Sequence, residues 1–135
     1  MSLAKKMFVP AGVQIPCVNL PFDVALDDVM PWASDFKTAR SIVEDGKVPA
    51  MFLFAENSKQ LESFAQDLKT LWDAKVNFWV FYPKKPYLGT DLSRDATWAL
   101  MKKLGMSGTR QVAISDQWSC MYFKNTGNEV MPDRG

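Results

Sequence analysis

Phe78-Trp79-Val80-Phe81-Tyr82 is an unbroken apolar run that stops at Pro83-Lys84-Lys85-Pro86. A loop with Gly89-Thr90-Asp91 follows, then a helix-like stretch from Ser93 to Leu104, closed by Gly105. An apolar strand that ends in a polar loop and feeds a helix is how open α/β sheets build crevices at strand carboxyl ends. Upstream, Ala50 to Ala55 is a second apolar run of the kind found in strands covered on both faces. Between the two, Asn57 predicts a helix cap, with Gln60 as its capping-box partner. Leu61, Phe64, Ala65, Leu68, Leu71 and Trp72 then recur at spacings of three and four, so one continuous amphipathic helix is expected. Strand, helix, strand argues for a right-handed parallel crossover.

The pattern extends outward from that unit. Arg110 to Ser115 and Trp118 to Phe123 read as an antiparallel hairpin around Asp116-Gln117. Val13 to Leu20 reads as the first strand, with Pro16 predicting an edge position or a bulge. Leu3 to Phe8 suggests a short helical lead-in ended by Pro10 and Gly12. Asp23 is expected to cap a short helix through Met30 that Pro31 stops. From Trp32 to Lys47 the signals conflict: Phe36 to Ala39 suits a short strand, and Ser41 to Asp45 suits a helical turn ended by Gly46. The expected architecture is α/β: a three-layer Rossmann-like sandwich whose mostly parallel sheet has five or six strands and a C-terminal antiparallel hairpin. Residues 1–124 are read as one domain, and 125–135 as a polar, loosely ordered tail.

Composition narrows the function classes. Apolar residues make up 47% of the 135-residue chain, which is too many for intrinsic disorder. Sixteen Lys and Arg against fifteen Asp and Glu leave a net charge of +1, so no strong field attracts nucleic acid or an anionic membrane. No apolar run reaches the ~20 residues needed to span a bilayer. Cys17 and Cys120 lie far apart in apolar runs and read as buried free thiols, which points to a cytoplasmic protein, with a disulfide between them as the lesser alternative. The chain contains no histidine, which removes the histidine-dependent triads and dyads, and no cysteine pair has metal-binding spacing.

The candidate ligand residues sit in the loop after the Phe78 run. Lys84 and Lys85, held between two prolines, together with Thr90, Asp91 and Ser93 ahead of the helix, form a polar rim suited to a small anionic ligand or a protein partner. The bland reading is solvated lysines at a strand end and capping residues at a helix start. Trp118 is a candidate for stacking on a ring, although core packing is the commoner use of such a residue. The first strand is followed by Asn19-Leu20-Pro21-Phe22-Asp23, which lacks the glycines of a nucleotide-cofactor turn, so no cofactor is expected.

Taken in order, Tyr82-Pro83-Lys84-Lys85, then Thr90-Asp91-Leu92-Ser93-Arg94-Asp95 with Trp98, then Asp116 and Trp118-Ser119 resemble a bacterial family of small proteins, domain of unknown function 3052. Leu3-Ala4-Lys5-Lys6 with Pro10 and Gly12 resembles that family's opening, whereas Val24 to Val48 departs from its pattern. The resemblance implies a small Rossmann-like domain with no established activity. The expected function is thus a non-catalytic ligand-binding or protein-interaction module with its crevice at the strand ends. A degenerate methyltransferase-like enzyme, holding an adenosyl group beside Asn19 to Asp23, is the alternative. Self-association through an edge strand is a third option.

Overall fold

The computed structural model describes residues 2–22 and 24–125. Six strands form one sheet: β1 Gln14–Val18, β2 Met30–Ser34, β3 Met51–Phe54, β4 Phe78–Pro83, β5 Gly108–Ala113 and β6 Trp118–Phe123. Their order is β2-β1-β3-β4-β6-β5. The pairs β2–β1, β1–β3 and β3–β4 are parallel; β6 runs antiparallel to both β4 and β5. The chain steps outward from β1 to β2, then crosses back to β3 and continues the other way to β4. The direction of winding therefore switches between β1 and β3.

Every residue of β3 and β4 is buried, so apolar side chains point to both sides of the sheet. Strand alternation divides them. Met51, Leu53, Phe78, Val80, Tyr82, Met121 and Phe123 pack with Leu61, Leu68, Leu71, Trp72 and Met101 from helices α3 (Ser58–Ser63), α4 (Ala65–Asp73) and α5 (Arg94–Lys103). Phe52, Phe54, Trp79, Phe81, Trp118, Cys120 and Tyr122 form a second cluster with Leu3, Ala4 and Met7 of the α1 region (helix Leu3–Lys6), plus Val9, Leu26 and Val29. Helix α2 (Phe36–Glu44) sends Ala39 to the first cluster and Ile42 to the second. Both cysteines are buried and free, and burial pushes both thiols up in pKa.

The expected apolar strands and the late hairpin form, and the sheet is mixed α/β, mostly parallel with an antiparallel C-terminal pair. Four local expectations change. Residues 24–29 are not helical: Val29 N–H donates to the Leu26 carbonyl (2.7 Å), and Asp27 takes φ 46°. This turn buries Leu26 and Val29 and lets the Asp28 carboxylate accept from Ala4 N–H (2.9 Å). Asp23, the expected cap, lies outside the described residues. Pro31, expected as a helix stop, lies in edge strand β2, where a missing N–H is tolerated.

Pro16 does not mark an edge, because β1 lies between β2 and β3. Pairing with β3 begins one residue later, at Cys17↔Phe52. Phe36 to Ala39 opens helix α2 rather than a strand, with the Asp35 carboxylate accepting from Thr38 N–H (2.7 Å). The single helix expected from Asn57 onward is broken at Phe64. The Ser63 hydroxyl donates to the Gln60 carbonyl, and Phe64 N–H turns to the Leu61 carbonyl (3.1 Å) instead. Serine competing for a helix carbonyl is a known source of such a tightened turn.

Four helices end in the same way, with the next residue in the left-handed region and two N–H groups folded back to the last turn. Gly46 and Gly105 fill that position after α2 and α5. Phe8 and Lys75 fill it after α1 and α4, with φ 58° and 59°. Asn125, the start of the expected tail, is anchored by its amide donating to the Trp72 carbonyl (2.8 Å). Residues 126–135 of that tail lie outside the described residues.

Candidate functional site

Tyr82 and Pro83 end β4, a central covered strand, as the sequence pattern requires. The following loop is fixed by its own backbone. Lys84 N–H donates to the Gln117 carbonyl (2.8 Å), Tyr87 N–H to the Lys84 carbonyl (2.9 Å), and Gly89 N–H to the Pro86 carbonyl (3.0 Å). The Lys85–Pro86 peptide is cis, and a single 3-10 turn spans Tyr87–Gly89. Lys84 is half-buried, Lys85 is exposed, and Leu88 stands 51% exposed with φ 59°. Two cations and one half-exposed leucine are thus displayed on a loop held by its own backbone hydrogen bonds.

The other candidate residues serve this frame. Thr90 is buried, and its hydroxyl oxygen accepts from Leu92 N–H (3.0 Å). Ser93 caps α5 by accepting from Ala96 N–H (3.1 Å). Asp91 reaches across to α3, where its carboxylate accepts from Ser58 N–H (2.8 Å) and from the Ser58 hydroxyl. Those bonds, with a weaker Coulombic pull from Lys85, hold Asp91 below the usual carboxylate range. Trp118 is 3% exposed, edge-on to Phe54 (4.9 Å between ring centroids) and to Tyr87 (5.8 Å). Its ring is spent on core contacts.

Beside this rim lies the switch between β1 and β3, where open α/β sheets usually take ligands. Asn19 follows β1 with φ 60°, a conformation asparagine accepts more readily than most residues. Its amide donates to the Phe54 carbonyl at the end of β3 (2.8 Å) and to Gln60 Oε1 (3.1 Å). Gln60 Oε1 also accepts from Glu56 N–H (2.7 Å), while Asn57 Oδ1 accepts from Gln60 N–H (2.8 Å). Two of these residues, Asn57 and Gln60, are legible as a capping pair. The bridging role of Asn19 and the Asp91–Ser58 link join segments 35 and 33 residues apart, which no local pattern encodes.

On the α5 face, the Tyr82 hydroxyl accepts from the Gln111 amide (2.7 Å), which also donates to the Ser119 hydroxyl oxygen (3.2 Å). Burial raises the Tyr82 phenol in pKa, so it stays protonated as a donor or acceptor near neutrality. Among the described residues no group of three or more carboxylates or thiols is arranged to hold a metal ion, and no helix is long and apolar enough to cross a membrane. No family model matches this chain, and no curated protein sequence matches it.

Proposed function

We propose that this protein is a non-catalytic interaction module of Rossmann-like, three-layer type, and that the Lys84–Leu88 rim contacts an acidic segment of a partner protein. The observation that carries the reading is the Asp91 carboxylate bound to Ser58. An acidic group of the chain itself already uses the donors that a compact anion would seek beside the switch between β1 and β3. Lys84 and Lys85 form no ion pair with a described residue, and Leu88 lies bare beside them. Cations around an exposed apolar side chain suit a peptide with acidic and apolar residues. The resemblance to domain of unknown function 3052 is compatible with this reading and adds no activity to it.

Nuclear magnetic resonance of the isotope-labelled protein tests the proposal. Titration with poly-glutamate should shift the amides of residues 84–90, and Lys84→Ala with Lys85→Ala should abolish the shifts. Absence of shifts, or equal shifts in the double variant, refutes it.

The strand order favours a second reading, a degenerate methyltransferase-like protein, because an antiparallel strand inserted beside the last parallel one is the arrangement of that scaffold. The Asn19 bridge across β1 and β3 opposes it. Calorimetry with S-adenosylmethionine separates the two: saturable heat supports the enzyme-like reading, and none at millimolar ligand removes it.

A further inference from the structure

We propose a second site at the other end of the sheet: a groove beside the amino ends of β3 and β4 that binds a flat aromatic ring carrying an anionic group. The groove has a volume of about 490 Å³, within the span of ordinary ligand pockets. It is lined by Phe8, Asn77, Thr109, Arg110, Tyr122 and Lys124, with Pro49 at its margin.

Three features point to this chemistry. The first is aromatic. Tyr122 stacks on buried Trp79, with centroids 4.6 Å apart and planes 25° apart, and is itself 8% exposed, so it is a fixed wall of the groove behind Phe8. Phe8 leans against Tyr122 at 5.7 Å and is 52% exposed. Phe8 also holds the left-handed position after α1, where glycine would be free of strain. The chain thus accepts a strained backbone and leaves a large ring half in water, at the lip of a groove.

The second feature is charge. Arg110 lies over the Phe8 ring, its guanidinium carbon 4.8 Å from the centroid. Neither Arg110 nor Lys124 forms an ion pair with a described residue. A guanidinium over a ring face can still offer its N–H fork to a carboxylate or phosphate. The third feature is the backbone. The pairing of β5 with β6 slips between Gly108↔Phe123 and Arg110↔Tyr122, inserting Thr109 as an extra residue. Consecutive residues of a regular strand face opposite ways; here Thr109 and Arg110 both border the groove. Thr109 and Asn77 also line the groove, the Asn77 amide donating to the Pro49 carbonyl (3.4 Å) at its margin.

Two probes carry the ligand chemistry: 2-naphthoate, with a carboxylate, and adenosine monophosphate, with a phosphate. Acetate and adenosine supply the anion and the ring separately. Titrations are read from the amides of Thr109, Arg110, Tyr122 and Lys124 in the intact chain. At least one complete probe should bind saturably, and Arg110→Gln should weaken it about tenfold, as expected for loss of a charged hydrogen-bonding pair. Phe8→Gly should weaken it several-fold while leaving the fold intact, since it relieves the backbone. If Arg110→Gln does not fold, Lys124→Gln replaces it.

Binding by naphthoate alone assigns a carboxylate ligand, and binding by the nucleotide alone a phosphate ligand; either supports the site. The proposal is overturned if neither probe saturates by about 10 mM, a concentration beyond any useful affinity. It is equally overturned if acetate or adenosine binds as tightly, or if the variants bind unchanged. The amides of residues 84–90 report on the opposite end of the sheet, so failure there and failure here are distinguishable.

Discussion

Replacing Gly108 by alanine tests how closely α5 is seated on the sheet. A Cβ at Gly108 would stand 2.9 Å from both Cγ and Sδ of Met121 and 3.1 Å from the Trp98 ring. Met121 is 2% exposed, so it can give way only by swinging toward the groove of about 230 Å³ that it borders with Gly108 and Trp98. Two effects oppose each other. Alanine in a strand interior is favoured over glycine by about 0.5–1 kcal/mol. Overpacking against Met121 and the Trp98 ring costs about 1–3 kcal/mol. The clash is larger, so Gly108→Ala should destabilise by about 0.5–2 kcal/mol, which is a fall of about 2–6 °C in Tm for a domain of this size. Urea unfolding followed by tryptophan fluorescence measures the change. Trimming the obstruction should recover part of it: Gly108→Ala with Met121→Ala should cost about 1 kcal/mol less than the sum of the single variants. A Gly108→Ala protein as stable as the parent, with additive effects in the pair, would refute the reasoning.

Further outcomes follow from helix ends and titrating groups. Lys75→Gly should raise stability and Gly105→Ala lower it, each by about 1 kcal/mol, because both sites hold a left-handed residue after a helix; denaturant midpoints that move in the same direction would contradict this. Asp91 has a pKa lowered on folding, so its contribution is present above the unfolded carboxylate pKa and is lost as pH falls through the folded one. The Tm gap between the parent and Asp91→Ala should therefore be open at neutral pH and close in acid; a gap independent of pH would count against the Ser58 link. Cys17 and Cys120 are buried with raised pKa, so a thiol reagent should label them only as the chain unfolds, in proportion to denaturant.

The central strands were legible because burial on both faces leaves an unmistakable mark: Met51–Phe54 and Phe78–Tyr82 contain no charged or amide side chain; the late hairpin, whose β5 is mostly exposed, was legible from its spacing instead. Residues 24–39 were not, for three physical reasons, whereas the helical turn at Ser41 to Asp45 with Gly46 as its stop does form. Leu26 and Val29 have helical spacing but sit in a turn, because Asp28 is recruited to the first helix 24 residues away. Pro31 ordinarily argues against a strand, and only the position of β2 at the sheet edge makes it acceptable. Phe36 to Ala39 has no strong propensity, and the Asp35 cap decides it for helix. The break at Phe64 was hidden for a related reason: apolar spacing runs straight through it, while the Ser63 hydroxyl quietly takes the carbonyl that the next turn needs.

The same distinction separates the two ends of the sheet. Strand order places a winding switch between β1 and β3, and the general rule puts a ligand at the carboxyl ends there. The rule concerns geometry: diverging connections leave a gap, and something polar must satisfy the donors and acceptors around it. In this chain the gap is satisfied from within. Asn19 takes the Phe54 carbonyl, Gln60 takes Glu56 N–H, and Asp91 takes Ser58. A ligand entering there would have to displace bonds already made, and it would gain only the difference. At the amino ends the balance is reversed. Arg110 and Lys124 have no described acidic partner, and the half-exposed Phe8 ring offers surface beside them. Unspent hydrogen-bonding and charge capacity, more than topology, is what a ligand can convert into affinity. On that measure the groove beside Phe8 is the stronger candidate for a small molecule, and the proposed partner of the Lys84–Leu88 rim is one that binds on the surface without entering the crevice.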